Sequence, residues 1–317
     1  VGVLGVASPR HAALAEGGLW ARIRKHRWHY AFLVPMLALF LVFELWPIVA
    51  TVFYSFYNWD GFGPLTDFVG WDNYVEAIGD PAFGQSFRNT FAFTAAALLI
   101  QLPLALGLAM VLNNRALGGR NVYRMLFFLP VVSTTAVVGV VFLILLSPVD
   151  GPVNAALTEP GVVDEPINFL GSESLALPTV IAVDLWKVFG VTLVYWLAAL
   201  QTVPRELLEA AKVDGASRWA SFRHVTVPTL IPLGVVIVLL TTIQSFNAFD
   251  IVQTMTAGGP GGASEIVQTY IYRTAFDPAQ FAPRYGFASA IALMFGVVVA
   301  LAAALQYLIS RRVRDSR

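Results

Sequence analysis

The stretch Gln201-Thr202-Val203-Pro204-Arg205-Glu206-Leu207-Leu208-Glu209-Ala210-Ala211-Lys212-Val213-Asp214-Gly215-Ala216-Ser217-Arg218-Trp219-Ala220-Ser221-Phe222-Arg223-His224-Val225-Thr226-Val227-Pro228 is a polar island between two long apolar runs. Pro204 suits the first turn of a helix, Glu206 complements the positive end of its dipole, and Gly215 suits its stop. Ser217 can cap a second short helix carrying Trp219 and Phe222. The island therefore reads as a helix–turn–helix pair. Glu209 and Lys212, three apart, can pair, while Leu207, Leu208 and Ala211 form an apolar side. Two readings fit this pattern: a connector lying in the headgroup layer, or a docking surface for a partner.

Outward from the island, Ala176–Leu200 and Thr229–Val252 are each long enough to cross the hydrocarbon core, which takes about 20 apolar residues. Four further runs qualify: Tyr30–Phe56, Thr90–Leu112, Met125–Ser147 and Tyr285–Ser310. The first has a basic flank but is too long for a signal peptide, and no small-residue cleavage site follows, so it reads as a retained span. The expected fold is an all-α integral membrane protein with six transmembrane helices. Its parts are an N-terminal tail (1–27), a first span (28–57), a core (58–310) containing the 201–228 island, and a short tail (311–317). Pro35, Pro47, Pro103, Pro130, Pro178 and Pro232 lie in or near spans, where prolines are accommodated as kinks.

Lys and Arg set the orientation. Sixteen lie in the N-terminus, the 113–124 loop, the 201–228 island and the C-terminus, against three (Arg88, Arg273, Arg284) in the alternating segments 57–89, 148–175 and 253–284. Those three segments carry twelve of the acidic residues. Both termini and the island are thus expected on the cytoplasmic side. Segment 148–175 reads as irregular, and Gly258-Gly259-Pro260-Gly261-Gly262 as a flexible turn on the outer side. The latter lacks the Lys-Ser/Thr of a phosphate-binding loop.

Composition excludes much else. Of 317 residues, 57% are hydrophobic and 13% charged, with zero net charge and no cysteine. Soluble domains carry about 25% charged residues. No basic patch invites nucleic acid, the lack of cysteine rules out a thiolate metal site, and no histidine falls inside a long apolar run. Catalytic signatures such as HExxH or GxSxG are absent.

Glu209-Ala210-Ala211, three residues, Gly215, nine residues, then Val225-x-Val227-Pro228 resembles the EAA loop of permease subunits of binding-protein-dependent ABC importers. The family pattern prefers Ile and Leu where this chain has Val225 and Val227. Leu200-Gln201-x-x-Pro204, Asp214-Gly215-Ala216, Phe249-Asp250, Thr256-x-Gly258-Gly259-Pro260, Tyr270-Ile271-Tyr272, Arg124 with Pro130, and Arg88-Asn89-Thr90 are similar to the sugar-importer branch, of maltose and glycerol-phosphate type. The resemblance implies a type I ABC-importer permease fold. It also implies that Glu209, Ala210, Ala211, Asp214, Gly215 and Pro228 couple the chain to an ATPase. The partners implied are a second homologous permease, two ATPase subunits holding ATP and Mg²⁺, and an extracytoplasmic solute-binding protein delivering a sugar or polyol phosphate. The resemblance implies no cofactor on this chain, whose sequence holds no P-loop.

Four ionisable residues fall within or near span ends: Glu44, Asp184, Lys187 and Asp250. A charge at the bilayer centre costs about 2.5–3.5 kcal/mol on insertion scales, so such residues are expected to face the bundle interior. Asp184 and Lys187 share a helical face and either neutralise each other or, with Trp186, form a polar wall for a hydroxylated solute. Gln244, Asn247 and Asp250, three apart, form a stripe that serves either as helix-packing glue or as a solute contact. Glu44, beside Trp46-Pro47, reads as an anchor or gating contact. The competing function is an ion-coupled secondary transporter using these carboxylates. Against it stand the loop pattern and the lack of an inverted repeat.

Overall fold

Helix breaks, rather than helix positions, are where a computed structural model of the chain departs from these expectations. It describes residues 27–114, 116–277 and 283–315; the expected tail at 1–27, apart from Arg27, and the last two residues lie outside them. Among the described residues five helices are long and apolar enough to span a membrane, and a sixth span is formed only if a bent pair counts as one. No strand occurs among them, only an isolated bridge between Tyr57 and Phe68. The helices are α1 (Arg27–Tyr54), α2 (Asp72–Gly79), α3 (Pro81–Leu112), α4 (Arg120–Val132), α5 (Thr135–Leu145) and α6 (Pro152–Thr158). Then follow α7 (Ala176–Leu200), α8 (Arg205–Val213), α9 (Arg218–Ser221), α10 (Val227–Phe246), α11 (Phe249–Met255), α12 (Val267–Phe276) and α13 (Tyr285–Asp315).

The chain divides after Phe53 into two units. In the first, the side chains of Arg27–Phe40 are exposed, as lipid-facing residues are. In the second, α7 is central. It packs against α3, α4 and α10, with Leu193, Leu197 and Leu200 buried beside Ala105 and Ala109. Gly190 lets α7 approach α4, because a Cβ there would sit 2.5 Å from the Phe127 carbonyl oxygen. A second core joins α5, α7 and α11 through Val138, Val180 and Ile251, and a third joins α2, α10, α12 and α13.

The expected third span is broken. α4 and α5 meet at 95° because Ser133 and Thr134 are extended. The fifth is interrupted as well: Asn247 and Ala248 leave helical geometry, separating α10 from α11. The second is longer than its apolar run, because Asp80 caps it, accepting from the Ala82 amide at 2.8 Å, and Pro81 opens it. That is the usual chemistry of a helix start.

The prolines resolve into distinct cases. Pro47, Pro103 and Pro228 each follow a wide π turn, at Leu41–Leu45, Ala97–Gln101 and Phe222–Thr226. In each, the residue before the proline donates to the carbonyl five back: Trp46 to Leu41, Leu102 to Ala97, Val227 to Phe222. A proline ring crowds the carbonyl four residues earlier and offers no N–H, and the extra residue in the turn relieves that crowding. Pro178 sits in the first turn of α7, where its missing N–H has no intrahelical partner to lose.

Candidate coupling and solute sites

The island folds largely as its residues direct. α8 starts after Pro204 and ends in a paired cap: the Gly215 amide donates to Lys212 O at 3.1 Å and the Ala216 amide to Ala211 O at 2.9 Å. Gly215 has φ +77°, the left-handed geometry this cap requires. Ser217 Oγ accepts from the Ala220 amide at 3.1 Å. The second helix is not separate, because α9 runs through the π turn Phe222–Thr226 directly into α10. A continuous helix from Arg218 therefore links the second half of the island to the fifth span.

α8 has two faces. Leu207, Ala210, Ala211 and Asp214 border a cleft of about 510 Å³ whose other wall is His224, Val225, Pro228 and Thr229. Arg205, Leu208, Glu209 and Lys212 face a different cleft, against the ends of α3, α4 and α7. The structure thus gathers Ala210, Ala211, Asp214 and Pro228, and puts Glu209 around the corner. Glu209 and Lys212 make no direct ion pair; both are exposed, where such a pair gains little over hydration.

The intramembrane polar residues are less united than their spacing suggests. Asp184 is buried on α7, Lys187 is half-buried and Trp186 exposed, its ring edge-on to Phe142 at 5.3 Å. Asp184 and Lys187 share a face without closing a direct ion pair. Helical spacing fixes a common face, not the reach of two side chains. The Gln244–Asn247–Asp250 stripe is cut by the break at Asn247, which donates to Ile243 O at 2.9 Å and accepts from Gln268 Nε2 at 3.0 Å. Asn247 and Asp250 are exposed. Among the described residues no hydrogen bond or ion pair joins this set to Asp184 or Lys187. Glu44 lies exposed in the π turn of α1.

A polar clasp on the opposite end of the helices was missed as a site. Asn89, inside α3, donates from Nδ2 to Ala263 O at 3.0 Å and Glu265 O at 2.8 Å, and Gln85 reaches Gly262 O at 3.2 Å. The Thr90 hydroxyl accepts from the Val267 amide at 3.0 Å. Glu265, 4% exposed, takes both ends of the Arg273 guanidinium, at 2.7 and 3.0 Å. Tyr270 donates to Asp80, the cap of α3. Burial and that carboxylate raise the Tyr270 phenol above its ordinary range. Gly258–Gly262 is accordingly a pinned loop, not the flexible turn expected. The signal was present in part: Asn89 and Thr90 of the Arg88-Asn89-Thr90 motif hold Ala263, Glu265 and Val267, a few residues beyond the Thr256-x-Gly258-Gly259-Pro260 motif.

Residues 101–315 match the family model described as the binding-protein-dependent transport system inner membrane component. The chain is 35% identical over 277 residues to the probable ABC transporter permease protein YurN of Bacillus subtilis, covering 87% of this chain and 93% of that one. It is 33% identical to the lactose transport system permease protein LacF of Rhizobium radiobacter, covering 89% and 93%. The trehalose/maltose transport system permease protein MalF of Thermococcus litoralis is 32% identical, with coverage of 88% and 92%. Among solved structures, a bacterial ABC transporter importing the acidic polysaccharide alginate has a chain that superimposes with a TM-score of 0.80. It is 26% identical, with 93% of this chain and 98% of that one covered. A chain of a bacterial alginate ABC transporter in complex with an alginate pentasaccharide-bound periplasmic protein also has a TM-score of 0.80 at 26% identity, with the same coverage.

Proposed function

Because the chain belongs to the family of binding-protein-dependent transport system inner membrane components, we propose that it forms half of the translocation pore of an ATP-driven sugar importer, with hydrolysis on separate ATPase subunits. The observation that carries this is the exposed, capped α8 joined by a continuous helix to α10: a push on α8 is delivered to a membrane span. Lactose, trehalose/maltose and diacetylchitobiose in the names of relatives support a mono- or oligosaccharide as solute. The remaining partners of this reading are a second, homologous permease and an extracytoplasmic binding protein. The ion-coupled alternative has no support in the family or in the relatives. Co-purification with a cognate ATPase, followed by hydrolysis assays across a sugar panel with binding protein present, tests the reading. Sugar-stimulated hydrolysis is expected; sugar uptake that persists without any ATPase and collapses with the proton gradient would overturn it.

The proposed orientation has both termini in the cytoplasm. Cysteines introduced at Thr158 and Ala263 should react with an impermeant thiol reagent from outside intact cells, and one at Ser217 should not. Outside labelling at Ser217 reverses the topology.

For the solute path, Asp184, Trp186, Lys187, Gln244, Asn247 and Asp250 remain the candidates. Asn247 gives the sharpest test because it already pairs with Gln268. If it meets sugar, Asn247→Ala raises the half-saturating sugar concentration by about tenfold, the scale of one lost hydrogen bond, at normal membrane abundance. Unchanged affinity with reduced abundance would assign the Asn247–Gln268 bond to packing.

A further inference from the structure

The cleft on the other face of α8 has a different chemistry from the coupling cleft. About 700 Å³ is enclosed by the end of α3 at Asn113, the start of α4 at Arg120 and Arg124, the end of α7 at Gln201, and Arg205, Glu209 and Lys212 of α8. Four cations thus face one carboxylate, and none of the four makes an ion pair with a carboxylate among the described residues. Arg124 donates from Nη2 to Leu112 O at 2.9 Å, but its Nε is buried with no acceptor. Four cations gathered without matching counter-charges repel one another, so an anion bound among them is favoured. Guanidinium forks match the paired oxygens of a phosphate.

The position of the cleft selects the source of that phosphate. It lies where two membrane-length helices, α3 and α7, end and α4 begins, at the depth of lipid headgroups, and basic pockets between helix ends take anionic headgroups. Val111 and Met125, 56% and 63% exposed, lie within two residues of the cleft residues Asn113 and Arg124 and offer apolar side chains to an acyl chain. The geometry points to a bound anionic phospholipid, its phosphate held by Arg120, Arg124, Arg205 and Lys212. The lipid then ties α8 to the ends of α3 and α4 from one side and leaves the Ala210–Asp214 face free. This site does not depend on the ATPase reading.

The test is native mass spectrometry of the full chain, with its co-purifying subunits, titrated separately with phosphatidylglycerol, phosphatidylcholine and inorganic phosphate. Phosphatidylglycerol should be retained in preference to phosphatidylcholine. The double variant Arg120→Gln/Arg205→Gln should weaken it on the order of 30-fold, since each basic residue contributes about 1 kcal/mol at such a surface. Arg120→Lys, which keeps the charge and loses the fork, should weaken it less, and Arg223→Gln, on the same side but outside the cleft, should leave it unchanged. Equal retention of both lipids, or an equal loss in Arg223→Gln, would overturn the site as diffuse attraction. Binding of inorganic phosphate with no retained phosphatidylglycerol would overturn the lipid. Loss of a co-purifying subunit in the double variant at unchanged lipid retention would give the cations to protein docking instead.

Discussion

Gly215→Val is expected to cut ATP-driven uptake by about tenfold or more, without lowering solute capture by the binding protein. The residue sits at φ +77° and a Cβ there meets nothing within 4 Å, so the defect is backbone strain and not a clash. A β-branched residue in left-handed geometry costs roughly 1–3 kcal/mol. The chain relieves this by giving up the paired cap, which frees the carbonyls of Ala211 and Lys212 and lets α8 turn relative to α9. Asn tolerates the same geometry, so Gly215→Asn should retain most of the uptake. Glu209→Lys tests charge in place of shape, reversing the sign of an exposed side chain on α8 while leaving the cap untouched. It should weaken ATPase co-purification. Normal ATP-driven uptake in both Gly215→Val and Glu209→Lys would remove α8 from the coupling path.

The parts of this architecture governed by local rules were readable in the sequence. The cap at Gly215, the cap at Ser217 and the apolar runs each depend on residues a few positions apart. The broken third span was not readable, because Met125–Ser147 is apolar on both sides of Ser133-Thr134 and a hydropathy window averages across the bend. The break at Asn247 was hidden similarly: Gln244, Asn247 and Asp250 at intervals of three describe a stripe only if the helix continues. Asp184 and Lys187 illustrate a different limit, since periodicity predicts a shared face but not a rotamer pair. The long-range clasp could not be read from spacing at all. Asn89 and the carbonyls it holds are separated by more than 170 residues, and nothing local to either motif names the other.

That clasp supports the second large effect. Asn89 is 8% exposed, and its amide serves the carbonyls of Ala263 and Glu265 in a loop that also carries the Glu265–Arg273 pair. Asn89→Leu keeps the volume and removes both donors. One buried carbonyl, of Glu265, and one partly buried, of Ala263, then lose their partners, at about 1–3 kcal/mol for the first and less for the second. For a chain of this size that corresponds to a fall in the thermal midpoint of roughly 5–10 °C, measured on the purified protein in detergent. Asn89→Asp should be worse, because a carboxylate set against carbonyl oxygens adds repulsion to the lost bonds. Arg273→Met should fall between wild type and these, since the guanidinium is 39% exposed and water replaces part of what the ion pair supplies, while Glu265 stays buried without its counter-charge. The ranking Asp worse than Leu worse than Met separates a clasp made by donated hydrogen bonds from one made by shape. Should Asn89→Asp melt with the wild type, Asn89 does not hold the loop, and the N-terminal end of α3 is fixed instead by the Asp80–Tyr270 contact.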